Sequence, residues 1–200
     1  MSFYSVARKI VFGISCVFFP IKVHWDVNSI PDETGVVLCA NHLSYLDAVF
    51  LGLAFKKQLY FVAKKKYAEK FFLKPIFKAV GSFGIDTEKP DLSAIKNCFR
   101  VIKDKKILTI FPEGTRVLKN KTSNPMPGAI MIAHKSHAPI CYVKIMPRKR
   151  YFKLFVPTDI YVGGLVTVAD LGVTDGKGDQ YKTASENLLE MIYSLGEKCQ

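Results

Sequence analysis

The sequence lacks the motifs of several common enzyme classes. It contains no Gly-x-Ser-x-Gly elbow, no G-x-G-x-x-G fingerprint, no Walker loop and no H-E-x-x-H zinc motif. A serine nucleophile of the hydrolase type is therefore not expected. The 5 cysteines are odd in number and form no C-x-x-C pair. Neither a disulfide framework nor a cysteine zinc site is predicted, and this cysteine usage is typical of a reducing compartment.

Acidic residues are scarce relative to basic ones. The chain has 17 Asp plus Glu against 29 Lys plus Arg, so its formal net charge is +12. A basic balance indicates an anionic partner, which is a nucleic acid, an anionic lipid surface or a phosphorylated substrate. The aromatic residues comprise 15 Phe, 9 Tyr and 1 Trp. This predominance of Phe suits lipid contact or core packing better than stacking on bases, but composition alone does not choose among the three partners. The apolar stretch near the N-terminus makes a nucleic acid the least expected of them, so no nucleic-acid partner is predicted.

A long hydrophobic run is also missing. The uninterrupted apolar stretch near the N-terminus covers only 10–19, whereas a membrane-spanning helix needs about 20 apolar residues. Because Arg8 and Lys9 precede it, we expect a helix that lies at a membrane interface. A helix packed on the domain core is the alternative. We assign 1–30 to an N-terminal membrane-interface helical segment and 31–200 to one α/β domain.

Strand-like and helix-like segments alternate along the rest of the chain. Short apolar runs predict strands at 36–40, 59–63, 107–111, 140–145, 153–156 and 160–162. Helical spacing or capping signals predict helices at 44–55, 66–80, from 90 onward, at 128–133 and at 181–195. This alternation predicts an α/β fold with a largely parallel central sheet flanked by helices.

The first candidate site follows the strand at 36–40. His42 and Asp47 are five residues apart, so they do not face each other on a continuous helix. They meet if His42 lies in the turn and Asp47 in the first helical turn. Asp47 would then accept the proton of one ring nitrogen and leave the other nitrogen as a base. Ser44 is interpreted as a helix cap, and Asn41 either shapes the turn or donates to an oxyanion.

The second candidate site follows the strand at 107–111. Gly114 allows a sharp turn, and the planar guanidinium of Arg116 matches phosphate oxygens. Glu113 is expected either to hold a substrate hydroxyl or to orient Arg116. Lys64 follows another strand and adds charge near the same edge of the sheet. A base beside an anion-binding turn suits transfer of an acyl group to an alcohol that carries a phosphate.

The sequence motifs at these two candidate sites give the chain a family resemblance. Asn-His-x-Ser-x-x-Asp at 41–47 and Phe-Pro-Glu-Gly-Thr-Arg at 111–116 both match in full. The chain thus resembles the 1-acyl-glycerol-3-phosphate acyltransferases, a family of membrane-associated glycerolipid acyltransferases. A third family signature, Gly-x-x-x-Ile-Asp-Arg, is matched at 81–86, but Thr87 stands where the arginine is expected. That departure removes a cation from the acceptor side.

The resemblance implies direct acyl transfer with no cofactor. It implies acyl-CoA or acyl-carrier protein as the acyl donor and a lysophospholipid as the acceptor. It also implies that the protein is membrane-associated at the cytoplasmic face, where it contacts membrane lipids and the anionic bilayer surface. His42 and Asp47 would be catalytic. The residues implied for substrate binding are Glu113, Gly114, Thr115, Arg116, Lys64, Gly81 and Asp86.

Two alternatives stay open at this point. The acceptor is either 1-acyl-glycerol-3-phosphate, which would give phosphatidic acid, or another lysophospholipid or lyso-amino-lipid, as Thr87 allows. A protein of another class, a non-catalytic lipid-binding membrane protein, would use the same basic surface.

Overall fold

A mixed seven-stranded sheet forms the centre of the protein. The structure is a computed structural model, and it describes residues 20–25, 30–65, 82–86, 91–117, 124–149 and 155–196. The strands are β1 (Ile21–Trp25), β2 (Val36–Ala40), β3 (Leu59–Lys64), β4 (Phe83–Ile85), β5 (Ile107–Ile110), β6 (Ile140–Pro147) and β7 (Thr158–Val166). Their order is β1-β7-β6-β2-β5-β3-β4, and every neighbouring pair is parallel except β6 and β7. The largely parallel sheet predicted from the sequence is confirmed.

Helices cover both faces of this sheet. They are α1 (Asp47–Ala54), α2 (Leu92–Lys103), α3 (Gly128–Ser136) and α4 (Gly178–Ser194). One face packs against α2, α3 and α4, and the other packs against α1. The amphipathic helix predicted from residue 90 begins as expected, because the side chain of Asp91 accepts a hydrogen bond from the backbone N–H of Ala94 at 3.0 Å.

β2 lies in the middle of the sheet and all five of its residues are buried. Val36, Leu38 and Ala40 face α1, whereas Val37 and Cys39 face the other helices. A strand buried on both faces needs an unbroken apolar run, which is the pattern that predicted it. The Cys39 thiol is buried and free, and burial raises its pKa, as expected for a packing residue rather than a nucleophile.

Two parts of the sequence prediction are wrong. Residues 21–25 were assigned to a helical segment but form β1, which pairs in parallel with β7. Polar Lys22 and His24 alternate with Ile21 and Val23, as in an edge strand. The apolar run at 10–19 directly before them led to the assignment of the whole segment to a helix. In the predicted strand at 153–156, residues 155 and 156 are not in a strand, and 153–154 lie outside the described residues.

Other predictions fall outside what the structure describes. The apolar stretch at 10–19 and the predicted helix at 66–80 are among these segments. Within the described ranges, no helix has the length and apolar character needed to cross a membrane.

The topology brings four strand ends together. β2, β5, β3 and β4 are adjacent and parallel, so their carboxyl ends lie at one edge of the sheet. Residues 41–47 follow β2, residues 111–116 follow β5, and Lys64 and Asp86 stand at the ends of β3 and β4. Ligand sites of open α/β sheets form at this edge.

Candidate active site

The predicted contact between His42 and Asp47 is present. Nδ1 of His42 lies 2.8 Å from Oδ2 of Asp47. His42 is in the turn after β2 and Asp47 is the first residue of α1, which is the arrangement that their spacing requires. Asp47 is completely buried, while 19% of the His42 side chain is exposed. The imidazole ring is thus held on its Nδ1 side by a buried carboxylate, while part of the side chain is accessible to solvent.

The backbone around Asp47 establishes which ring nitrogen carries the proton. Oδ2 of Asp47 also accepts the backbone N–H groups of Leu43, at 2.6 Å, and Ser44, at 2.7 Å. An oxygen that already accepts two backbone N–H groups faces Nδ1 as an acceptor. Nδ1 of His42 therefore carries hydrogen and Nε2 has a free lone pair. The positive end of α1 adds to the stability of this carboxylate.

The two sequence motifs are hydrogen-bonded to each other through the backbone of His42. Its carbonyl accepts the N–H of Val117 at 2.8 Å, and its N–H donates to Oε2 of Glu113 at 2.7 Å. The imidazole stacks on the Phe111 ring with the centroids 4.1 Å apart. The loop after β2 and the turn after β5 therefore form one unit.

Glu113 is a buried carboxylate at the centre of this unit. Only 4% of the residue is exposed. Its Oε1 accepts the hydroxyl of Tyr193 at 2.5 Å, while Oε2 accepts the His42 N–H. Burial raises the pKa of Glu113, and these two hydrogen bonds partly offset that effect. Glu113 therefore supports the His42 loop, and its side chain is not on the surface where a substrate hydroxyl would arrive.

Arg116 is held by an aromatic ring. Its guanidinium carbon lies 3.9 Å from the centroid of the Tyr45 ring, a cation–π contact. No carboxylate lies within salt-bridge distance of Arg116 in the part of the chain that the structure describes. Stacking of this kind holds the plane of the guanidinium and leaves its N–H fork for an anion.

Gly114 shapes the turn that presents Arg116. Its φ angle of 63° lies in the left-handed region that favours glycine. A Cβ there would also collide with Sδ of Met126. The Met126 side chain is flexible and half-exposed and can move, so the positive φ angle is the main reason for glycine at this position.

The remaining predicted residues have different positions. Thr115 is exposed on the same turn, while Lys64 and Asp86 are half-buried at the neighbouring strand ends. Gly81 lies outside the described residues. Thr115, Lys64 and Asp86 therefore lie at the predicted edge of the sheet, without a described contact to His42.

The polar residues of the first motif have structural partners. The Asn41 amide is buried; its Nδ2 donates to the carbonyl of Ile145 at 3.0 Å, and its Oδ1 accepts the Ile145 N–H at 2.7 Å. Asn41 therefore ties β2 to β6 and is not a donor to an oxyanion. The interpretation of Ser44 as a helix cap is wrong: α1 begins at Asp47, its N-cap residue is Leu46, and no side chain caps it. Oγ of Ser44 instead accepts the Leu46 N–H at 3.2 Å within the turn before the helix.

Two contributors were missed by the sequence analysis. Tyr193 belongs to α4 and is 80 positions from Glu113 along the chain. Tyr45 lies inside the first motif, at a position where the motif specifies no residue type. Helical periodicity identifies the apolar face of α4 but contains no signal for a hydroxyl that reaches across the sheet edge.

The fold and the site define an α/β protein in which a hydrogen-bonded histidine–aspartate pair and an arginine lie at the carboxyl edge of a set of parallel strands. A sequence model of the Acyltransferase family matches residues 21–147. The chain belongs to this family.

Curated relatives agree with the family. The chain is 31% identical over 124 residues to the 1-acyl-sn-glycerol-3-phosphate acyltransferase of Bacillus subtilis, covering 60% of this chain and 59% of the relative. It is 32% identical over 148 residues to the protein of the same name in Streptococcus pneumoniae, covering 72% of this chain and 53% of the relative. The chain thus spans little more than half the length of these relatives.

A solved structure has the same fold. The 1-acyl-sn-glycerophosphate (LPA) acyltransferase PlsC from Thermotoga maritima superposes with a TM-score of 0.62 at 18% identity, covering 98% of this chain and 78% of that protein. At this identity the similarity concerns the fold alone.

Proposed function

We propose that the protein transfers a fatty acyl group from an acyl thioester to the free hydroxyl of 1-acyl-glycerol-3-phosphate and so forms phosphatidic acid. The observation that carries the proposal is the connection of the His42–Asp47 pair to the Arg116 turn. His42 is hydrogen-bonded to Asp47 at 2.8 Å, and its carbonyl accepts the Val117 N–H next to Arg116. The curated relatives named for this activity support the same reaction.

His42 acts as general base in the proposed reaction. Its Nε2 takes the proton of the acceptor hydroxyl, whose oxygen attacks the thioester carbonyl carbon. A C–O bond forms, the C–S bond breaks, and the proton passes from Nε2 to the leaving thiolate. Asp47 holds the required tautomer and stabilises the imidazolium that forms. No acyl-enzyme is required, which agrees with the absence of a serine elbow.

Arg116 binds the acceptor phosphate in this proposal. Its guanidinium lies over the Tyr45 ring in the turn after β5, and its planar set of N–H donors matches the oxygens of a phosphate. Lys64, at the end of β3, adds positive charge on the same edge, and Thr115, Gly114 and Asp86 border the acceptor. We do not assign Glu113 to the substrate, because both its oxygens accept hydrogen bonds from the protein.

The oxyanion of the tetrahedral intermediate needs donors other than the nearest backbone groups. The N–H of His42 donates to Glu113, and those of Leu43 and Ser44 donate to Asp47. These three groups support the two carboxylates, so we do not assign them to an oxyanion hole.

We also propose that the protein works on the cytoplasmic surface of a membrane without a cofactor. The proposed acceptor and product are membrane lipids, and the formal charge of +12 favours an anionic bilayer. Co-sedimentation with vesicles that contain or lack anionic lipid tests this. Binding that does not depend on anionic lipid would contradict the electrostatic part of the proposal.

A thioester-release assay tests the reaction. The donors are acyl-CoA and acyl-carrier protein, and the acceptors are lysophosphatidate, a lysophospholipid with a larger head group and a lyso-amino-lipid. We expect release with lysophosphatidate. Thr87, where the family has arginine, favours the second candidate, another lyso-lipid acceptor. Release only with that acceptor would establish the second candidate, and no release with any acceptor would contradict acyl transfer.

A further inference from the structure

The last turn of α4 reaches the candidate active site from the opposite face of the sheet. The Tyr193 hydroxyl donates to Oε1 of Glu113 at 2.5 Å. The ammonium of Lys144, on β6, donates to the backbone carbonyl of Tyr193 and, at 2.7 Å, to that of Leu195. Lys144 is 9% exposed, so this anchor of the helix end is largely shielded from water. The position of Tyr193 is thus fixed by the sheet itself.

Glu113 transmits this contact to the loop that carries the base. Its second oxygen, Oε2, accepts the backbone N–H of His42 at 2.7 Å. A continuous chain of hydrogen bonds therefore runs from the Tyr193 hydroxyl, through the Glu113 carboxylate, to the main chain of His42. Tyr193 also lies outside residues 21–147, which the family model matches.

The charge of Glu113 depends on this arrangement. Burial raises its pKa, and the Tyr193 hydroxyl and the His42 N–H lower it. Of the charged groups that face it, the His42 ring lowers the pKa and Asp47 raises it. Loss of the Tyr193 hydroxyl removes the larger of the two hydrogen-bonding contributions. Glu113 would then take up a proton at a higher pH than in the intact protein.

We infer that Tyr193 is a positioning residue of the acyl-transfer reaction: its hydroxyl holds Glu113 as the carboxylate acceptor of the His42 backbone N–H, and the C-terminal helix thereby fixes the loop that carries the base. The kinetic part of this inference rests on the proposed function. The structural part, the coupling of Tyr193 to the His42 backbone, does not.

The test compares two tyrosines of the same helix. Tyr193→Phe keeps the ring and removes only the hydroxyl. Tyr181→Phe is the matched control, because the Tyr181 hydroxyl bonds Nδ1 of His134 at 2.8 Å near the other end of α4. We expect Tyr193→Phe to lower kcat by roughly tenfold and to move the acidic limb of the pH profile to higher pH. Tyr181→Phe should leave kcat and the profile unchanged.

Glu113→Gln provides the second variant. Glutamine does not titrate, so adding Tyr193→Phe to Glu113→Gln should not move the acidic limb further. A wild-type profile for Tyr193→Phe would overturn the inference. Equal losses in both tyrosine variants without a shift of the profile would also overturn it, since they would indicate stabilisation of the helix alone.

A measurement without substrate separates this inference from the proposed function. The amide resonance of His42 in ¹⁵N-labelled protein should titrate with Glu113, and its midpoint should rise in Tyr193→Phe but not in Tyr181→Phe. If the wild type transfers no acyl group yet the midpoint moves, the coupling stands and only the proposed reaction fails. An identical midpoint in all three proteins would refute the coupling.

Discussion

Two histidine–aspartate pairs occur in the described part of the chain, and in both a ring nitrogen lies 2.8 Å from a carboxylate oxygen. His42 pairs with Asp47 after β2, and His24 on β1 pairs with Asp159 on β7. Both rings also stack on an aromatic neighbour, His42 on Phe111 and His24 on Tyr161. By distance alone, either pair is a candidate for acid–base chemistry.

The surroundings of the carboxylates differ. Asp159 is bound through both oxygens by Arg148, at 2.5 and 3.1 Å, and this cation is the main reason that the pKa of Asp159 is lowered. Asp47 receives only the ring and two backbone N–H groups among the described residues, so its charge is not neutralised by an arginine. The two carboxylates therefore differ in whether a guanidinium accompanies them.

The positions in the sheet differ too. His42 stands at the carboxyl edge, in the unit that contains Arg116, whose contact in the described ranges is with the Tyr45 ring. His24 is on an edge strand, and the arginine of its site already pairs with Asp159. A histidine–aspartate contact is thus insufficient to define a base. A carboxylate with no arginine partner among the described residues, and a nearby arginine, set the proposed catalytic pair apart from the other pair.

The largest expected difference between the pairs is in the histidines. His42→Ala should lower thioester release by about 10²–10⁴-fold, the usual contribution of a general base. His24→Ala should leave release unchanged. Steady-state assays with both variants, together with circular dichroism to establish folding, check the prediction. Similar losses in two folded variants would remove the distinction between the pairs.

Substitution of the aspartates should also affect kcat only in the His42–Asp47 pair, by a smaller factor than substitution of the histidine. Asp47→Asn replaces the carboxylate that fixes the His42 tautomer by a neutral amide with a donor NH2, and kcat should fall by roughly 10²-fold. Asp159→Asn should leave kcat unchanged and lower the melting temperature, because Arg148 loses its partner. Single-turnover kinetics and thermal unfolding measure the two effects. A normal kcat in Asp47→Asn would disprove the orienting role.

The two arginines extend the comparison to substrate binding. Arg116→Ala should raise the KM for the lysophospholipid by roughly tenfold or more, since hydrogen bonds to charged groups contribute about 1.5–3 kcal/mol. The KM for the thioester should change little. Arg148→Ala should affect neither KM. An Arg116 variant that alters only the donor KM would contradict the phosphate-binding role.

The smallest expected effect is on the pH dependence of stability, and its sign differs between two acids. The folded-state pKa of Asp159 is lowered, so its pairing stabilises the fold above the ordinary carboxyl pKa and is lost as pH falls through the folded value. The folded-state pKa of Glu113 is raised, so its ionisation costs stability once pH exceeds the ordinary value.

Melting temperatures across pH check these signs. Wild type should exceed Asp159→Asn by a few degrees at neutral pH and by less in acid. Glu113→Gln should exceed wild type at neutral pH, and the two should converge in acid where Glu113 is protonated. A Glu113→Gln variant that is least stable at neutral pH would mean that the carboxylate stabilises the fold despite its burial.

Much of the fold was predictable because apolar runs and helical periodicity are local properties. They located β2, β5, β6 and α4 within a few residues. β4 was missed because three residues contain little pattern of their own, and β1 was missed because its short alternation directly follows a long apolar run. The order of strands and the antiparallel β6–β7 pair depend on packing of the whole sheet rather than on any local segment.

The sequence by itself determined that His42 and Asp47 can meet, because residues five apart come together where a turn leads directly into a helix start. It also determined the Gly114 turn, where the left-handed backbone favours glycine. Only the tertiary structure decided that Tyr193 reaches Glu113 across 80 positions and that Asp159 joins His24 across 135. Contacts at such separations depend on which strands become neighbours, and no local periodicity encodes that choice.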